Sequence, residues 1–313
     1  MNVEDVKKVA VIGAGVMGHS IAQVFAAAGM NTQLVDLNPS ILEHAVDLIR
    51  SELETLAAYG KISQTEIPDI LSRIHPTMDM ATASEGVQFV LEAVSEIPEV
   101  KKKIFSQLDE LCPKDAVLAS NTSTLDIFSL VRIDTPQRLV AAHWFAPPNI
   151  IPLVEIAPGP ETSDEVVKFT ENLVKRVGKK TVVMKQFVPA LIVNHIQHYI
   201  STAVFEIMDN GLATPEEIDL AVKSTLGIRL PIVGVVQTLD FTGLDLVADI
   251  IKNRGDHNPY IEEKVKLGHL GAKTAKGIYD YDGRSEMEII RKRDLRYLKN
   301  LESLEEIEAF EPL

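Results

Sequence analysis

The sequence predicts an α/β protein in which a doubly wound, mostly parallel sheet precedes an all-helical domain. Short apolar runs alternate with helical patterns through the first half of the chain, which is typical of parallel strands joined by crossover helices. A glycine-rich turn follows the first predicted strand directly. Strand patterns disappear in the last third, where long apolar helices are predicted. We therefore expect a nucleotide-binding domain at residues 1–187 and a helical domain at residues 188–313.

Composition limits the classes of function. The chain has 313 residues, 46% hydrophobic and 24% charged, which suits two globular domains. Its formal net charge of −14 argues against nucleic-acid binding, which needs clustered Lys and Arg. Cys112 is the single cysteine, so no internal disulfide can form, and no Cys/His cluster has metal-site spacing. Without a signal-like N-terminus or a long apolar run, we expect a cytoplasmic protein with no metal and no membrane association.

The glycine-rich turn is GAGVMG. Residues 7–12 predict a buried strand, and an apolar helix runs from the turn to Ala28. Gly13 permits the tight turn, Gly15 lets a pyrophosphate approach the backbone, and Gly18 allows close packing of helix on strand. The free N–H groups at the helix start favour an anion. This context indicates a Rossmann-type dinucleotide site.

Asp36 ends the second predicted strand, residues 33–35, about twenty residues beyond the turn. A carboxylate there can accept hydrogen bonds from ribose hydroxyls and would repel a 2′-phosphate, so NAD is favoured over NADP. The predicted cofactor-binding residues of this part of the chain are Gly13, Gly15, Val16, Met17, Gly18 and Asp36.

A helical hairpin is predicted at residues 39–72. The first helix has a proline at its start and a glycine just after its end, and Ser63-x-x-Glu66 resembles a capping box that opens the second. A plain nucleotide-binding fold has a single crossover helix here. The hairpin therefore either covers a ligand or is a structural insertion.

Two further strands are predicted at residues 86–91 and 116–119, with a lysine-rich helix between them. The polar run SNTS, residues 120–123, follows the second of these strands, at the edge where open α/β sheets bind ligands. Its hydroxyl and amide groups could serve a cofactor or substrate, or could cap a helix. The residues alone do not choose between these roles.

A His–Glu pair is the candidate catalytic centre. The apolar runs 139–142 and 153–156 flank a proline-rich loop, so His143 and Glu155 leave neighbouring strand segments. A carboxylate that holds an imidazole fixes its tautomer and stabilises its protonated form, which suits a general base near neutral pH. The alternative is a structural pair.

The second half predicts a helix at 163–176 and a strand at 181–184, and then the helices 189–211, 214–226 and 231–252. A small helical domain with so much apolar surface commonly buries part of it against another subunit, so we expect a homodimer. Asn194 interrupts the apolar run of the first helix, where a polar residue can also cap a kink or face solvent. Residues 284–308 predict a solvated, charged helix.

Together these residues resemble the L-3-hydroxyacyl-CoA dehydrogenase family over nearly the whole chain. The segments that carry the resemblance are GAGVMG at 13–18, LEAVSE at 91–96, SNTS at 120–123, HWFAPP at 143–148, PLVE ending at Glu155, IVN ending at Asn194 and GAKTAKGIYDY at 271–281. The resemblance implies an NAD-dependent enzyme that acts on a small-molecule substrate and dimerises through its helical domain.

The resemblance also implies roles for individual residues. His143 would be the general base and Glu155 its orienter, while Ser123 and Asn194 would contact the reacting oxygen. The implied reaction is the reversible oxidation of the 3-hydroxyl group of an L-3-hydroxyacyl-CoA. Residues implied near the cofactor are Ala93, Glu96, Lys101 and Asn121.

The chain departs from the family pattern in two places. Ala146 stands where the family usually has Asn, and the helix entry is PALIVNH instead of the usual PGF-VNR. The segment PPNIIPLVE is closer to the lambda-crystallin branch, which oxidises L-gulonate. The hairpin region offers few basic residues for coenzyme A phosphates, namely Arg50, Lys61 and Arg73. A free 3-hydroxy acid is therefore the alternative substrate.

Two other classes remain. A non-catalytic, crystallin-like NAD-binding protein would have no need of the four predicted catalytic residues together. A β-hydroxyacid dehydrogenase of the six-phosphogluconate type would use a catalytic lysine, but Lys185 and Lys223 lack its motif.

Overall fold

The computed structural model describes residues 2–311. The chain forms two compact units, residues 1–199 and 200–313. The first unit contains the sheet and the helices that cover it, and the second is built from helices.

One eight-stranded sheet organises the first unit. Its strands are β1 (Lys8–Ile12), β2 (Asn31–Val35), β3 (Ile74–Thr77), β4 (Phe89–Glu92), β5 (Val117–Ser120), β6 (Leu139–Trp144), β7 (Leu153–Pro158) and β8 (Lys180–Val183). They lie in the order β3-β2-β1-β4-β5-β6-β7-β8. Every neighbouring pair is parallel except β6 and β7, which are antiparallel. The predicted doubly wound, mostly parallel sheet is confirmed, and its first six strands have the Rossmann order.

Helices cover both faces of the sheet. In the first unit they are α1 (Gly18–Ala27), α2 (Pro39–Ala58), α3 (Ile67–Ser72), α4 (Met80–Ser84), α5 (Pro98–Leu111), α6 (Ile127–Leu130) and α7 (Asp164–Arg176). Helices α2 and α3 form the predicted hairpin. The predicted capping box is present, because the Ser63 amide donates to Glu66 Oε2 at 2.7 Å and the Ser63 side chain accepts a backbone N–H.

The core of this unit lies in two apolar layers, one on each side of the sheet. In β1, Val9 and Val11 belong to one cluster, and Ala10 and Ile12 belong to the other. This division follows from the pleat, because alternate side chains of a strand point to opposite faces. Phe25 of α1 packs in the first layer, between aromatic rings of β4 and β6. The carboxyl ends of the strands are thereby held in fixed positions.

The second unit continues from α8 (Val193–Asp209), which crosses the boundary between the units. The helices that follow are α9 (Pro215–Lys223), α10 (Leu226–Thr242), α11 (Leu244–Asn253), α12 (Pro259–Lys266) and α13 (Glu286–Glu306). Asp240 is 1% exposed and accepts hydrogen bonds from the amides of Ile278 and Tyr279 and from the Tyr281 hydroxyl. This carboxylate therefore holds the glycine-containing segment 271–281 against α10.

Some predicted boundaries were wrong. The helix predicted at 231–252 is interrupted twice: Gly234, with a φ of 66°, kinks α10, and Gly243, with a φ of 92°, separates α10 from α11. The helix predicted from residue 189 begins at Val193, since Ala190 and Leu191 have positive φ angles of 67° and 48°. Four short elements, β3, α4, α6 and α12, were not predicted; β3 contains a proline, and all four have at most eight residues, too few to show a clear periodicity.

Among residues 2–311, no single helix is long and apolar enough to cross a bilayer. The adjoining helices α10 and α11 together reach the required length and composition, but they are bent by 82° relative to each other.

Candidate active site

The centre of the site is a buried imidazole between a carboxylate and a hydroxyl. His143 of β6 lies directly opposite Glu155 of β7 in the antiparallel register, and its Nδ1 is 3.0 Å from Glu155 Oε2. Its Nε2 is 3.1 Å from Ser123 Oγ. The histidine and the glutamate are 3% and 0% exposed. Because the carboxylate accepts the Nδ1 proton, the neutral ring presents the lone pair of Nε2 on the side of Ser123.

The second oxygen of Glu155 fixes the start of α8. Glu155 Oε1 accepts hydrogen bonds from the amides of Ile192 and Val193, at 3.1 and 3.0 Å. Asn194 is the next residue along the helix, and it is half-buried. One carboxylate thus orients the histidine and also anchors the backbone beside the predicted substrate-binding amide.

Glu96 shapes the loop that carries Ser123. Its Oε1 accepts hydrogen bonds from the Thr122 hydroxyl at 2.7 Å and from the amides of Ser123, Thr124 and Leu125 at 2.9 to 3.1 Å. Burial raises the pKa of Glu96, but these donors, led by the Thr122 hydroxyl, and the charge of Lys101 lower it to about 2. The carboxylate is therefore ionised at neutral pH and holds the loop in place.

Lys101 is buried in an ion network. Its ammonium is 2.7 Å from Glu92 Oε1 and 3.1 Å from Glu96 Oε2. Ser120 Oγ donates to Glu92 Oε2 at 2.5 Å. The sequence analysis did not single out Glu92, although a carboxylate at the end of an apolar strand could have indicated a buried ion pair. The Lys101 ammonium contacts the two carboxylates of Glu92 and Glu96. We therefore expect it to affect the predicted cofactor edge through Glu96.

Glycine is required at two positions of the dinucleotide turn. Gly13 has a φ of 102°, and a Cβ there would lie 2.7 Å from the Ala93 carbonyl oxygen. A Cβ on Gly18 would lie 1.7 Å from the Gly13 carbonyl oxygen. By contrast, a Cβ on Gly15 would meet nothing within 4 Å. The turn is thus closely packed against the sheet on one side, and its backbone is open on the other, as a pyrophosphate requires.

Asp36 lies beside this turn, at the end of β2. Its Oδ2 accepts a hydrogen bond from the Ala14 amide at 3.0 Å, and its Oδ1 accepts one from the Asn38 amide at 3.1 Å. Val16 is 78% exposed, whereas Met17 packs against the core. An open glycine backbone at the start of a helix, with a carboxylate next to it, fits a dinucleotide.

Asn121 ties two strand ends together. Its backbone N–H donates to the Glu92 carbonyl oxygen, and its side-chain Oδ1 accepts a hydrogen bond from the Trp144 backbone N–H at 2.7 Å. Because Trp144 follows His143 directly, this contact helps to hold the end of β6 against the loop of residues 120–123.

Lys179 was not predicted. It is 9% exposed, and its ammonium donates to the carbonyl oxygens of Pro148 and Ile151 and lies 5.9 Å from the centre of the Trp144 ring. Burial lowers its pKa. It anchors the loop between β6 and β7, which includes Ala146. A Gly-Lys pair at the end of a helix is too common for the sequence to reveal this role.

The structure brings Ser123, His143 and Glu155 into one hydrogen-bonded chain and places Asn194 next to residues bound by the same glutamate. Ser123, His143 and the dinucleotide turn lie at the carboxyl ends of the parallel strands β5, β6 and β1, where α/β sheets bind their ligands, and Glu155 reaches the same edge from the antiparallel strand β7. A dinucleotide turn and a buried histidine paired with a carboxylate on one sheet edge are features of the class of nicotinamide-dependent dehydrogenases.

Comparison with known proteins identifies the family. The family model described as "3-hydroxyacyl-CoA dehydrogenase, NAD binding domain" matches residues 8–187, and the C-terminal domain of the same family matches residues 191–281. The chain belongs to the 3-hydroxyacyl-CoA dehydrogenase family. It is an oxidoreductase with NAD as its cofactor.

Individual relatives cover most of the chain. A probable 3-hydroxybutyryl-CoA dehydrogenase of Bacillus subtilis is 33% identical and covers 90% of this chain and 99% of its own. A 5-formyl-3-hydroxy-2-methylpyridine 4-carboxylate 5-dehydrogenase of Mesorhizobium japonicum is 28% identical, with 88% and 91% covered. The human lambda-crystallin homolog is 32% identical, with 74% and 73% covered. The crystal structure of a 3-hydroxyacyl-CoA dehydrogenase from Archaeoglobus fulgidus superposes with a TM-score of 0.79 at 30% identity, covering 95% and 99%.

Proposed function

We propose that the protein oxidises the 3-hydroxyl group of an L-3-hydroxyacyl-CoA to the 3-ketone, with His143 as the general base and Glu155 as its orienter. The observation that carries the proposal is the hydrogen-bonded chain Ser123–His143–Glu155, with contacts of 3.1 and 3.0 Å and with the histidine and the glutamate buried. A histidine whose Nδ1 is held by a carboxylate keeps Nε2 free to accept a proton.

The chain's own residues manage the proton. Ser123 and Asn194 bind the substrate hydroxyl oxygen, and Nε2 of His143 takes its proton. The imidazolium that forms is stabilised by the Glu155 carboxylate, whose second oxygen accepts two backbone N–H bonds that hold it in position. In the reverse direction the protonated histidine polarises the ketone and returns the proton.

The cofactor occupies the carboxyl edge of the sheet in this proposal. NAD, when bound, supplies the acceptor for the hydride from C3 of the substrate. The Gly13–Gly18 turn binds the pyrophosphate through backbone N–H groups, and Asp36 accepts from the ribose hydroxyls. The residues proposed to border the rest of the cofactor are Ala93, Glu96, Lys101 and Asn121.

A free 3-hydroxy acid is the second candidate substrate. Residues 39–73, the hairpin and its end, contain three basic residues against six acidic ones, a formal charge of −3 opposite the phosphates of coenzyme A. One relative is named for a pyridine carboxylate substrate. Ala146 also removes a side-chain amide from the loop after β6. The reaction is the same in both cases, and only the acyl group differs.

The deciding experiment compares kcat/KM for L-3-hydroxybutyryl-CoA, free L-3-hydroxybutyrate and L-gulonate with NAD, using the His143→Ala variant as the blank. Preference for the thioester supports the proposed substrate and would place the protein in fatty-acid or butyrate metabolism. Preference for a free acid supports the second candidate. Turnover of none of the three, with NAD binding intact, would favour a non-catalytic NAD-binding protein.

We also propose that the protein is a homodimer through its helical domain. Helix α8 is largely apolar, yet none of its residues is buried, and Phe205 is 60% exposed. Exposed apolar area of this kind marks a protein interface. Sedimentation equilibrium should give a dimer that Phe205→Glu dissociates, whereas Tyr59→Glu, at an exposed aromatic of the first unit, should leave it intact. A monomeric wild type would contradict the proposal.

A further inference from the structure

A buried histidine links the dinucleotide turn to the hairpin. His19 follows Gly18 in the first turn of α1 and is 6% exposed. Its Nδ1 lies 2.7 Å from the Gly15 carbonyl oxygen, and its Nε2 lies 3.1 Å from Glu52 Oε1 on α2. Gly15 is the turn residue whose backbone is open to a ligand.

Both contacts of the ring require a hydrogen. The Gly15 carbonyl can only accept, so Nδ1 must donate to it. The contact between Nε2 and the carboxylate needs a second proton, which belongs to the ring because imidazole is a stronger base than a carboxylate. His19 and Glu52 therefore form an imidazolium–carboxylate pair. Burial lowers the pKa of His19, but the hydrogen bonds from Glu52 and Gly15 and the charge of Glu52 raise it above 6.5 overall.

We propose that His19 is a second determinant of NAD affinity: a positive charge fixed behind the pyrophosphate turn, which anchors the Gly15 carbonyl and ties α2 to the cofactor site. NAD binding then weakens as His19 loses its proton. The inference rests on the proposed placement of NAD at the Gly13–Gly18 turn. It assigns a cofactor-side role to Glu52, a residue of the hairpin.

Other charged groups near α1 already have partners or lie at its other end. Asp36, after β2, accepts a hydrogen bond from the Ala14 amide, and Arg73, after α3, donates to the Ala26 carbonyl at the far end of α1. Strand β1 contributes Lys8, which donates to the carbonyls of Thr82 and Glu85. His75 of β3 is exposed. Glu52 is thus the charge that faces the ring.

The test is the dissociation constant of NADH, measured by fluorescence at constant ionic strength from about pH 6 to about pH 9. Affinity of the wild type should fall about three- to tenfold as pH rises through the pKa of His19. His19→Gln, which keeps a donor but has no titratable charge, should bind weakly at every pH with a flat profile. Glu52→Gln should move the transition to lower pH.

A matched control is available in the second unit. His257 Nδ1 lies 2.6 Å from Glu262 Oε1, but this pair is exposed. His257→Gln should therefore reproduce the wild-type profile. A wild-type affinity that does not change with pH, or an unchanged transition in His19→Gln, overturns the inference.

Asp36→Ala distinguishes failure of this inference from failure of the proposed cofactor site. If Asp36→Ala weakens NADH binding while His19→Gln has no effect, the site stands and only the role of His19 is wrong. If neither variant affects binding, the placement of NAD is wrong. An NMR titration of the His19 ring in the free protein gives a readout that does not depend on the cofactor, and a pKa at or below 6.5 there contradicts the imidazolium.

Discussion

His143 and Glu155 face each other across the one antiparallel strand pair of the described sheet. Directly opposed residues of such a pair project to the same face with their Cβ atoms roughly 5 Å apart, which is the separation that a His–carboxylate hydrogen bond needs. The reversal of chain direction at the loop 145–152 is what creates this opposition. The topology of the sheet edge therefore builds the proposed catalytic pair.

Removal of the imidazole should abolish most of the catalysis and leave cofactor binding unchanged. His143→Ala should lower kcat by roughly 10²- to 10⁴-fold, because it removes the proposed general base, and the dissociation constant of NADH should stay near that of the wild type. Glu155→Gln serves as the companion variant, since the glutamine side chain has the same shape as glutamate but, without the negative charge, holds the His143 imidazole less well. Wild-type turnover in His143→Ala would show that the dyad assignment is wrong.

Asp36 should control the choice of dinucleotide. Asp36→Ala should raise the KM for NAD and reduce discrimination against NADP, because in the proposed site the carboxylate binds ribose hydroxyls and would repel a 2′-phosphate. Asp36→Asn is the control for its structural bond, as an amide oxygen can still accept from the Ala14 amide. Steady-state kinetics with both cofactors give the comparison, and an unchanged NAD/NADP ratio in both variants would exclude the ribose role.

Glu96 should make stability depend on acid pH. Its folded-state pKa, about 2, lies below the ordinary 4.5. The stability contributed by its ionised form is therefore complete above pH 4.5 and is lost as pH falls through about 2. Glu96→Gln should unfold less steeply with acid over that window when Tm is followed by circular dichroism. Glu99→Gln, at an exposed carboxylate paired with Lys102, should follow the wild-type curve; coincident curves for all three proteins would contradict the prediction.

Ala190 should be a site of backbone strain. Its φ of 67° lies in the left-handed region, which costs a residue with a Cβ about 1 kcal/mol, and it precedes the backbone amides that bind Glu155. Ala190→Gly should raise the free energy of unfolding by about 1 kcal/mol. The same change at Ala203, inside α8, should lower it by about 1 kcal/mol. Urea denaturation measures both, and a destabilised Ala190→Gly would refute the strain.

Long-range partners could not be predicted from their positions in the chain. The network of Glu92, Lys101 and Ser120 forms because β4 and β5 are neighbours and α5 packs beside them. The bond between His19 and Glu52 spans 33 positions. Neither the network nor the His19–Glu52 contact has a sequence spacing or a motif of its own. Only the packing of helices on the sheet reveals them.

The sequence by itself determined the Rossmann sheet and the glycine-rich turn followed by Asp36, because these depend on local patterns: apolar periodicity, glycine conformation and short loops. The proposed catalytic roles were implied by the family resemblance, since the local patterns left a structural role open for each of those residues. The tertiary structure alone decided which group each carboxylate binds. Glu155 binds the backbone at the start of α8, Glu96 binds the loop that carries Ser123, and Glu92 binds the Lys101 ammonium. It also decided where α10 ends. Those outcomes depend on strand order and on burial, which bring distant groups within hydrogen-bonding distance and make a partner for each charge necessary.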